Sequence, residues 1–217
     1  YSNWPKITDI FPENVTGIVT ARDKFVIDFN LNDLRTRIMQ FRNLSLPDEI
    51  LIKTYGLKDT RGWKLSSARK KLADDPEWDN YYQKILYRPF DSRYIYYTPT
   101  MVDWGRYELM PNMLKENLGL LCKRQGKRKP YSYFFITDTI CESCVFESAF
   151  ANNTVFPLYL YADENQKGFY TTENEEKKPN IEIKIYNKLE SAFGQKLSPE
   201  DILNYIYGVF YSNIYRE

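Results

Sequence analysis

Two spacings of apolar residues alternate along this chain, one of three to four residues and one of two. Leu31, Leu34, Ile38 and Phe41 fall on a single stripe behind Asn30. That predicts a capped helix with Arg35, Arg37 and Arg42 elsewhere on its surface. Pro47-Asp48-Glu49 opens a second helix with acids in its first turn, and Gly56 ends it. A third runs from Ser66 or Ser67 to Ala73, carries Arg69, Lys70 and Lys71, and is broken by Asp74-Asp75-Pro76-Glu77. Another spans 181–193, with Ile185 and Leu189 on its stripe and Gly194 as its stop. The sharpest helical signal is last. Ser198 stands at the N-cap, Pro199 at the first helical position, and Glu200 and Asp201 in the first turn. Ile202, Tyr205, Ile206, Val209 and Phe210 then recur at helical spacing.

The remaining runs are short and β-branched or aromatic. Residues 4–11 predict a strand or lead-in arm. In 17–28, two β-branched runs flank the polar 20–24, which predicts a β-hairpin with a charged tip. In 87–97 aromatic and basic residues alternate, and a turn at 89–92 resets the register. Tyr87, Ile95 and Tyr97 then share one side, and Arg88, Tyr94 and Tyr96 the other. An irregular piece, 98–111, holds Asp103, Trp104 and Arg106. Two strands, 118–122 and 131–136, flank a loop containing Gly126 and Pro130, the pattern of a second hairpin. Residues 156–161 predict a buried or edge strand, and 162–179 a polar surface loop with some disorder. The sum is an α+β domain: a mixed, mostly antiparallel sheet with flanking helices and a C-terminal helical segment. Its 217 residues fit one domain, 1–217, with possible sub-lobes 1–83 and 84–217.

Composition narrows the chemistry. The chain has no histidine, which removes the usual general base, the histidine-dependent nucleophile systems and histidine-ligated metals. Three cysteines do not suggest a disulfide framework, which points to a reducing cytoplasm. Cys141-Glu142-Ser143-Cys144 has metal-ligand spacing but lacks two further soft ligands, so it reads as coincidence. No apolar run approaches membrane-spanning length. The chain starts at a tyrosine and stops in mid-pattern, as a fragment of a longer protein would. A net charge of +1 gives no global field for polyanions, so any such binding must come from local clusters.

Three clusters qualify. In the first, Thr20, Arg22 and Lys24 either meet a phosphate backbone or form a solvated turn. In the second, Arg88 and Arg93 stand among tyrosines. They either face nucleic acid or lie in an aromatic strand and pair with acids such as Asp91; the stretch alone favours the second reading. The third is Lys123, Arg124, Gln125, Lys127, Arg128 and Lys129, the densest positive charge in the chain, with no acid interrupting it. Arginine, lysine and glutamine are base-reading side chains, and a solvated loop is the alternative. A separate possibility is metal-dependent nuclease chemistry at Glu182-Ile183-Lys184, with Asp163 as a further ligand. The tyrosine-rich surface also suits a protein-interaction module.

Four stretches together resemble the C-terminal specificity domain of single-polypeptide restriction–modification enzymes, the type ISP and type IIG groups. Residues 17–28 are similar to the family's G-x-x-T-x-R-D-x-x-V-I-D opening. Tyr87-Arg88-Pro89-Phe90-Asp91-Ser92-Arg93, followed by Ile95-Tyr96-Tyr97, resembles its most recognisable motif. Asn117-Leu118-Gly119-Leu120 through Gln125, with Phe135-Ile136-Thr137-Asp138, resembles the next strand pair. Residues 156–161 and 205–217 resemble the closing blocks. The succession covers nearly the whole chain. It departs at Met110-Pro111-Asn112-Met113-Leu114, where the family often has a histidine. The resemblance implies a non-catalytic module that recognises a short asymmetric sequence in double-stranded DNA. Arg22, Lys24, Arg88, Arg93, Arg106 and the basic loop are the expected contacts. Within that loop Arg124, Gln125 or Arg128 would read bases, and Lys123, Lys127 and Lys129 would hold phosphates. It implies no cofactor in this fragment. The glycine-rich and N-P-P-Y motifs, and with them S-adenosylmethionine and Mg2+, belong to upstream adenine-N6 methyltransferase and nuclease domains.

Overall fold

The computed structural model describes residues 5–123, 133–146, 152–162 and 177–216. The helices are α1 (Ile7–Ile10), α2 (Asp23–Val26), α3 (Leu31–Arg42), α4 (Asp48–Tyr55), α5 (Leu65–Asp74), α6 (Ile183–Phe193), α7 (Pro199–Tyr211) and α8 (Asn213–Arg216). The strands are β1 (Val15–Thr16), β2 (Ile27–Asp28), β3 (Tyr82–Arg88), β4 (Asp91–Tyr96), β5 (Gly119–Lys123), β6 (Phe134–Thr137), β7 (Ile140–Cys141), β8 (Asn153–Pro157), β9 (Tyr159–Tyr161) and β10 (Lys177–Pro179). The fold is α+β with antiparallel pairing, as the periodicities predict. Two compact units divide the chain. One is continuous, 18–105, and the other joins 1–17 to 106–217. The position 83/84 falls within β3.

In the continuous unit, β4 pairs with both β2 and β3. Helix α3 packs on β4 and α5 because its stripe of Leu34, Ile38 and Phe41 is fully buried. Its cap is the expected one, with the Asn30 side chain accepting from the Asn32 N–H at 2.9 Å. Gly56 ends α4 at φ 65°, a left-handed conformation that only glycine adopts at no steric cost. Phe25 meets Phe41 at 5.2 Å and Tyr55 at 5.1 Å between ring centroids. Arg69 is 3% exposed, although α5 reads as a basic surface helix from its sequence. It donates to the carbonyls of Phe41 at 2.8 Å, Leu46 at 2.7 Å and Asn43, and pairs with Asp48. One guanidinium thereby gathers three carbonyls from the end of α3 and the turn after it and ties α5 to the start of α4.

In the other unit the sheet order is β1-β8-β5-β6, with β9-β10 as a separate pair. Helix α7 carries the full capping box: Asp201 N–H donates to Ser198 Oγ at 3.1 Å, and Ser198 N–H to Asp201 Oδ2 at 2.9 Å. Its buried side chains are Ile202, Leu203 and Phe210, and the Phe210 ring stacks on Phe134 at 3.9 Å. Tyr205, expected on that stripe, is 60% exposed, because the buried face is rotated toward Leu203. Buried asparagines replace ladder bonds where strands end. Asn180 donates to Glu13 O at 2.7 Å and Pro157 O at 2.8 Å, and Asn117 donates to Tyr159 O at 2.8 Å. Each satisfies main-chain carbonyls that no strand reaches.

Two expectations fail. Residues 7–10 form a helical turn instead of a strand, because the Asp9 carboxylate accepts the Lys6 N–H at 2.8 Å and closes the turn. Residues 17–28 form no hairpin. Val19 bridges to Trp104, residues 23–26 coil into α2, and only Ile27 and Asp28 enter the sheet. Thr20 Oγ1 bonds to the Asp23 carboxylate, which starts the coil where the hairpin tip was expected.

Candidate nucleic-acid interface

The hairpin of β3 and β4 brings two arginines, Arg88 and Arg93, against the rings of Tyr87 and Phe29. Arg88 pairs with Asp91 across a two-residue tip, Pro89-Phe90, and the register shifts between Leu86 and Arg88. A proline followed by a residue at positive φ is the arrangement of a type II turn, whose second central position normally takes glycine or asparagine. Here that residue is Phe90, at φ 63° and 91% exposed.

Behind the tip lies a stack of cations and rings. The Arg93 guanidinium sits 4.1 Å from the Phe29 ring and 4.0 Å from that of Tyr87, and Arg88 sits 4.1 Å from Tyr87. Arg93 also grips Asp91 in a fork, Nε to Oδ1 at 2.9 Å and a terminal nitrogen to Oδ2 at 2.7 Å. That fork holds the Asp91 carboxyl below the usual carboxylate range and raises Arg93 in return. The Tyr87 hydroxyl donates to Asp23 at 3.2 Å, and burial followed by the Asp23 charge pushes its pKa up. Asp28 lies low despite the opposing effect of desolvation, because the Asn30 N–H and Arg37 both donate to it.

The structure separates the expected contact residues. Arg88 and Arg93 come together on Tyr87, half-buried, and Arg93 makes the acid pair that the stretch alone favours. Lys24 is exposed one residue after Asp23. Arg22 is 9% exposed: it donates to Met101 O at 3.1 Å, pairs with Asp103 and lies 4.3 Å from the Trp63 ring. It anchors the 101–103 segment and is not on the surface. Lys123, 2% exposed with its ammonium 5.3 Å from the Tyr133 ring, is also interior. Arg106 belongs to the other unit, half-buried at φ 58°. Arg124, Gln125, Lys127, Arg128 and Lys129 lie outside the described residues, as does Asp163.

Most of the opening motif is structural. A Cβ on Gly17 would stand 2.4 Å from Glu142 O, so main chain approaches main chain there. Thr20 and Asp23 start α2, Arg22 anchors 101–103, and Asp28 receives Arg37. Phe90 is the residue that sequence reading missed; its one signal was a bulky side chain where a turn after proline calls for glycine.

Glu182 is the N-cap of α6 and Lys184 lies in its first turn, a helix start instead of the sheet that nuclease ligands require. No group of three or more acidic or cysteine side chains able to hold a metal occurs among the described residues. No described helix is long and apolar enough to cross a membrane.

The class of molecule follows from residues 9–217, which match the Type ISP C-terminal specificity domain; the chain belongs to that family. Three solved structures share the fold. One is a DrdV–DNA complex solved by cryo-EM, with 22% identity, TM-score 0.68, and coverage of 95% of this chain and 20% of that one. The second is the ATP-dependent Type ISP restriction-modification enzyme LlaBIII bound to DNA, with 23% identity, TM-score 0.67, and coverage of 98% and 14%. The third is a nuclease-deletion mutant of the Type ISP enzyme LlaGI with a DNA substrate mimic, with 19% identity, TM-score 0.59, and coverage of 98% and 16%. The chain thus spans 14–20% of the length of those chains. No curated protein matches it.

Proposed function

We infer that this domain selects a short sequence in double-stranded DNA on behalf of a restriction–modification enzyme. The supporting observation is the family match over residues 9–217. The three structural neighbours, each solved with DNA or a DNA mimic, agree with it. In this reading the domain performs no chemistry. Methyl transfer from S-adenosylmethionine and Mg2+-dependent cleavage reside in upstream domains of the parent chain, and the work is done in the cytoplasm. An adenine methyltransferase must extrude its target base, so the domain holds the duplex around a distortion made by its neighbour. Lys24 and Arg88 are suited to phosphates, which set position without reading sequence. Side chains aimed into the major groove read bases, the role proposed for Arg124, Gln125 or Arg128 of the basic loop, with Lys127 and Lys129 on phosphates.

The test is a domain exchange in the parent enzyme. Residues 9–217 are replaced by the corresponding domain of a relative with a different methylated motif, and genomic adenine methylation is mapped by sequencing. The methylated motif should follow the transplanted domain. An active chimera that retains the original motif would place target selection outside this chain and end the reading.

A further inference from the structure

We propose that Phe90 is a wedge that stacks on a base at a distorted step of the bound duplex. The inference rests on the DNA-recognition reading above and deepens it.

The tip is built in a way that the hairpin alone does not require. A two-residue turn with proline first needs a left-handed residue second, and glycine takes that conformation without strain. A phenylalanine there holds a strained backbone at φ 63°, and the residue is 91% exposed. Both place an apolar ring at the exposed tip of the β3–β4 hairpin, where a nucleic acid can reach it.

The support behind the ring is stiff. Arg93 is locked between Phe29 and Tyr87 and forked onto Asp91, the residue that follows Phe90. Tyr87 is tied in turn to Asp23 on α2. Arg88, the residue before the tip, carries its charge beside the same Tyr87 ring. Both residues flanking Pro89-Phe90 are therefore anchored, and two guanidiniums stand behind the ring. Arg93 is paired with Asp91, so the Arg88 guanidinium is the charge that a phosphate backbone meets beside the ring, and the bases meet an aromatic face. Apolar side chains inserted between base steps unstack them and kink the duplex, and a pre-formed wedge loses little freedom in doing so.

The full parent enzyme is the test object. Duplexes carrying 2-aminopurine at one position at a time are scanned across the recognition sequence and its flanks. With the natural protein, two kinds of fluorescence change are expected: one at the base extruded for methylation, and one at the wedged step. Phe90→Ala should abolish the second, leave the first, preserve the methylated motif and weaken duplex binding about tenfold. Phe90→Trp should keep the wedge signal. Phe90→Gly, which removes both ring and strain, should lose the signal as fully as Phe90→Ala while folding at least as well, which separates the ring from the strain. If every fluorescence change and the affinity survive in Phe90→Ala, the wedge is refuted and DNA recognition stands. If Phe90→Ala lowers the melting temperature of the parent and leaves DNA binding intact, the ring docks on another domain and the proposal is overturned. Failure of the natural parent to discriminate sequences would instead overturn the underlying reading, and the wedge with it.

Discussion

Replacing Arg69 with methionine tests how the continuous unit is held together. The guanidinium is 3% exposed and donates to three main-chain carbonyls and one carboxylate. Methionine keeps much of the stem volume but removes every donor. The Phe41 and Leu46 carbonyls then lose their donor where water enters poorly, while Asn43 O keeps the Leu46 N–H at 3.1 Å, and each unsatisfied buried acceptor costs about 1–3 kcal/mol. Simple addition overshoots, because the main chain relaxes and Asp48, with 35% of its side chain exposed, is resolvated. The expected loss is about 3–5 kcal/mol, the range for breaking a buried charged pair from one side. That is a large part of a stability of about 5–15 kcal/mol. Urea unfolding followed by far-UV circular dichroism and by tryptophan fluorescence measures it. With a slope of about 1–3 kcal/mol/M, the midpoint should fall by at least ~1 M. Asp48→Asn is the companion and should cost less than half as much, since only one of the four acceptors changes. A loss below about 1 kcal/mol for Arg69→Met, or equal losses for the two variants, would refute the argument that the carbonyls are the substance of this contact.

Other consequences are as direct. Leu203→Ala should cost about 2–5 kcal/mol in thermal or urea unfolding, and Ile206→Ala clearly less, because Leu203 is 1% exposed and Ile206 only partly buried; the reverse order would mean that α7 is docked on another face. Gly17→Ala should destabilise by at least about 1–3 kcal/mol, since its Cβ would overlap the Glu142 main chain, and a neutral result in the same assay would refute that close approach. The Asp91 carboxyl should titrate below 3.8 by NMR. Its folded value is depressed, so its contribution is complete above about pH 4 and is lost as pH falls through that depressed value. Arg93→Met should move the midpoint up, and an Asp91 already titrating above the ordinary value would contradict the fork. Burial pushes the Cys122 thiol up to about 12, so iodoacetamide at pH 8 should label it only after unfolding; rapid labelling in the native protein would show that the thiol is accessible.

Much of the architecture was legible because it rests on local signals. Asn30, Gly56, Gly194 and Ser198 mark helix ends by chemistry that acts within four residues, and the structure places each as expected. The β3–β4 hairpin was legible from Pro89 and the flanking aromatics. What failed depended on partners distant in sequence. Arg22 and Arg69 resemble surface cations until the carbonyls of Met101 and Phe41, 79 and 28 residues away, arrive beside them. Lys123 belongs by composition to an exposed basic loop, yet it closes a strand whose neighbour Tyr133 covers it. Phe90 shows the converse. Its conformation is local, but its exposure depends on where the hairpin ends, and no periodicity reports that.

The way the chain threads its two units orders events during synthesis. β1 pairs with β8 through Val15 and Val155, 140 residues apart (155 − 15). At ribosomal rates of about 5–20 residues per second, β1 waits roughly 7–28 s for its neighbour in the sheet. The whole of 18–105 emerges in that interval, with its own helices and its own three-stranded pairing. A nascent chain halted shortly after residue 105 has cleared the ribosome should thus carry a folded centre behind an open N-terminal end.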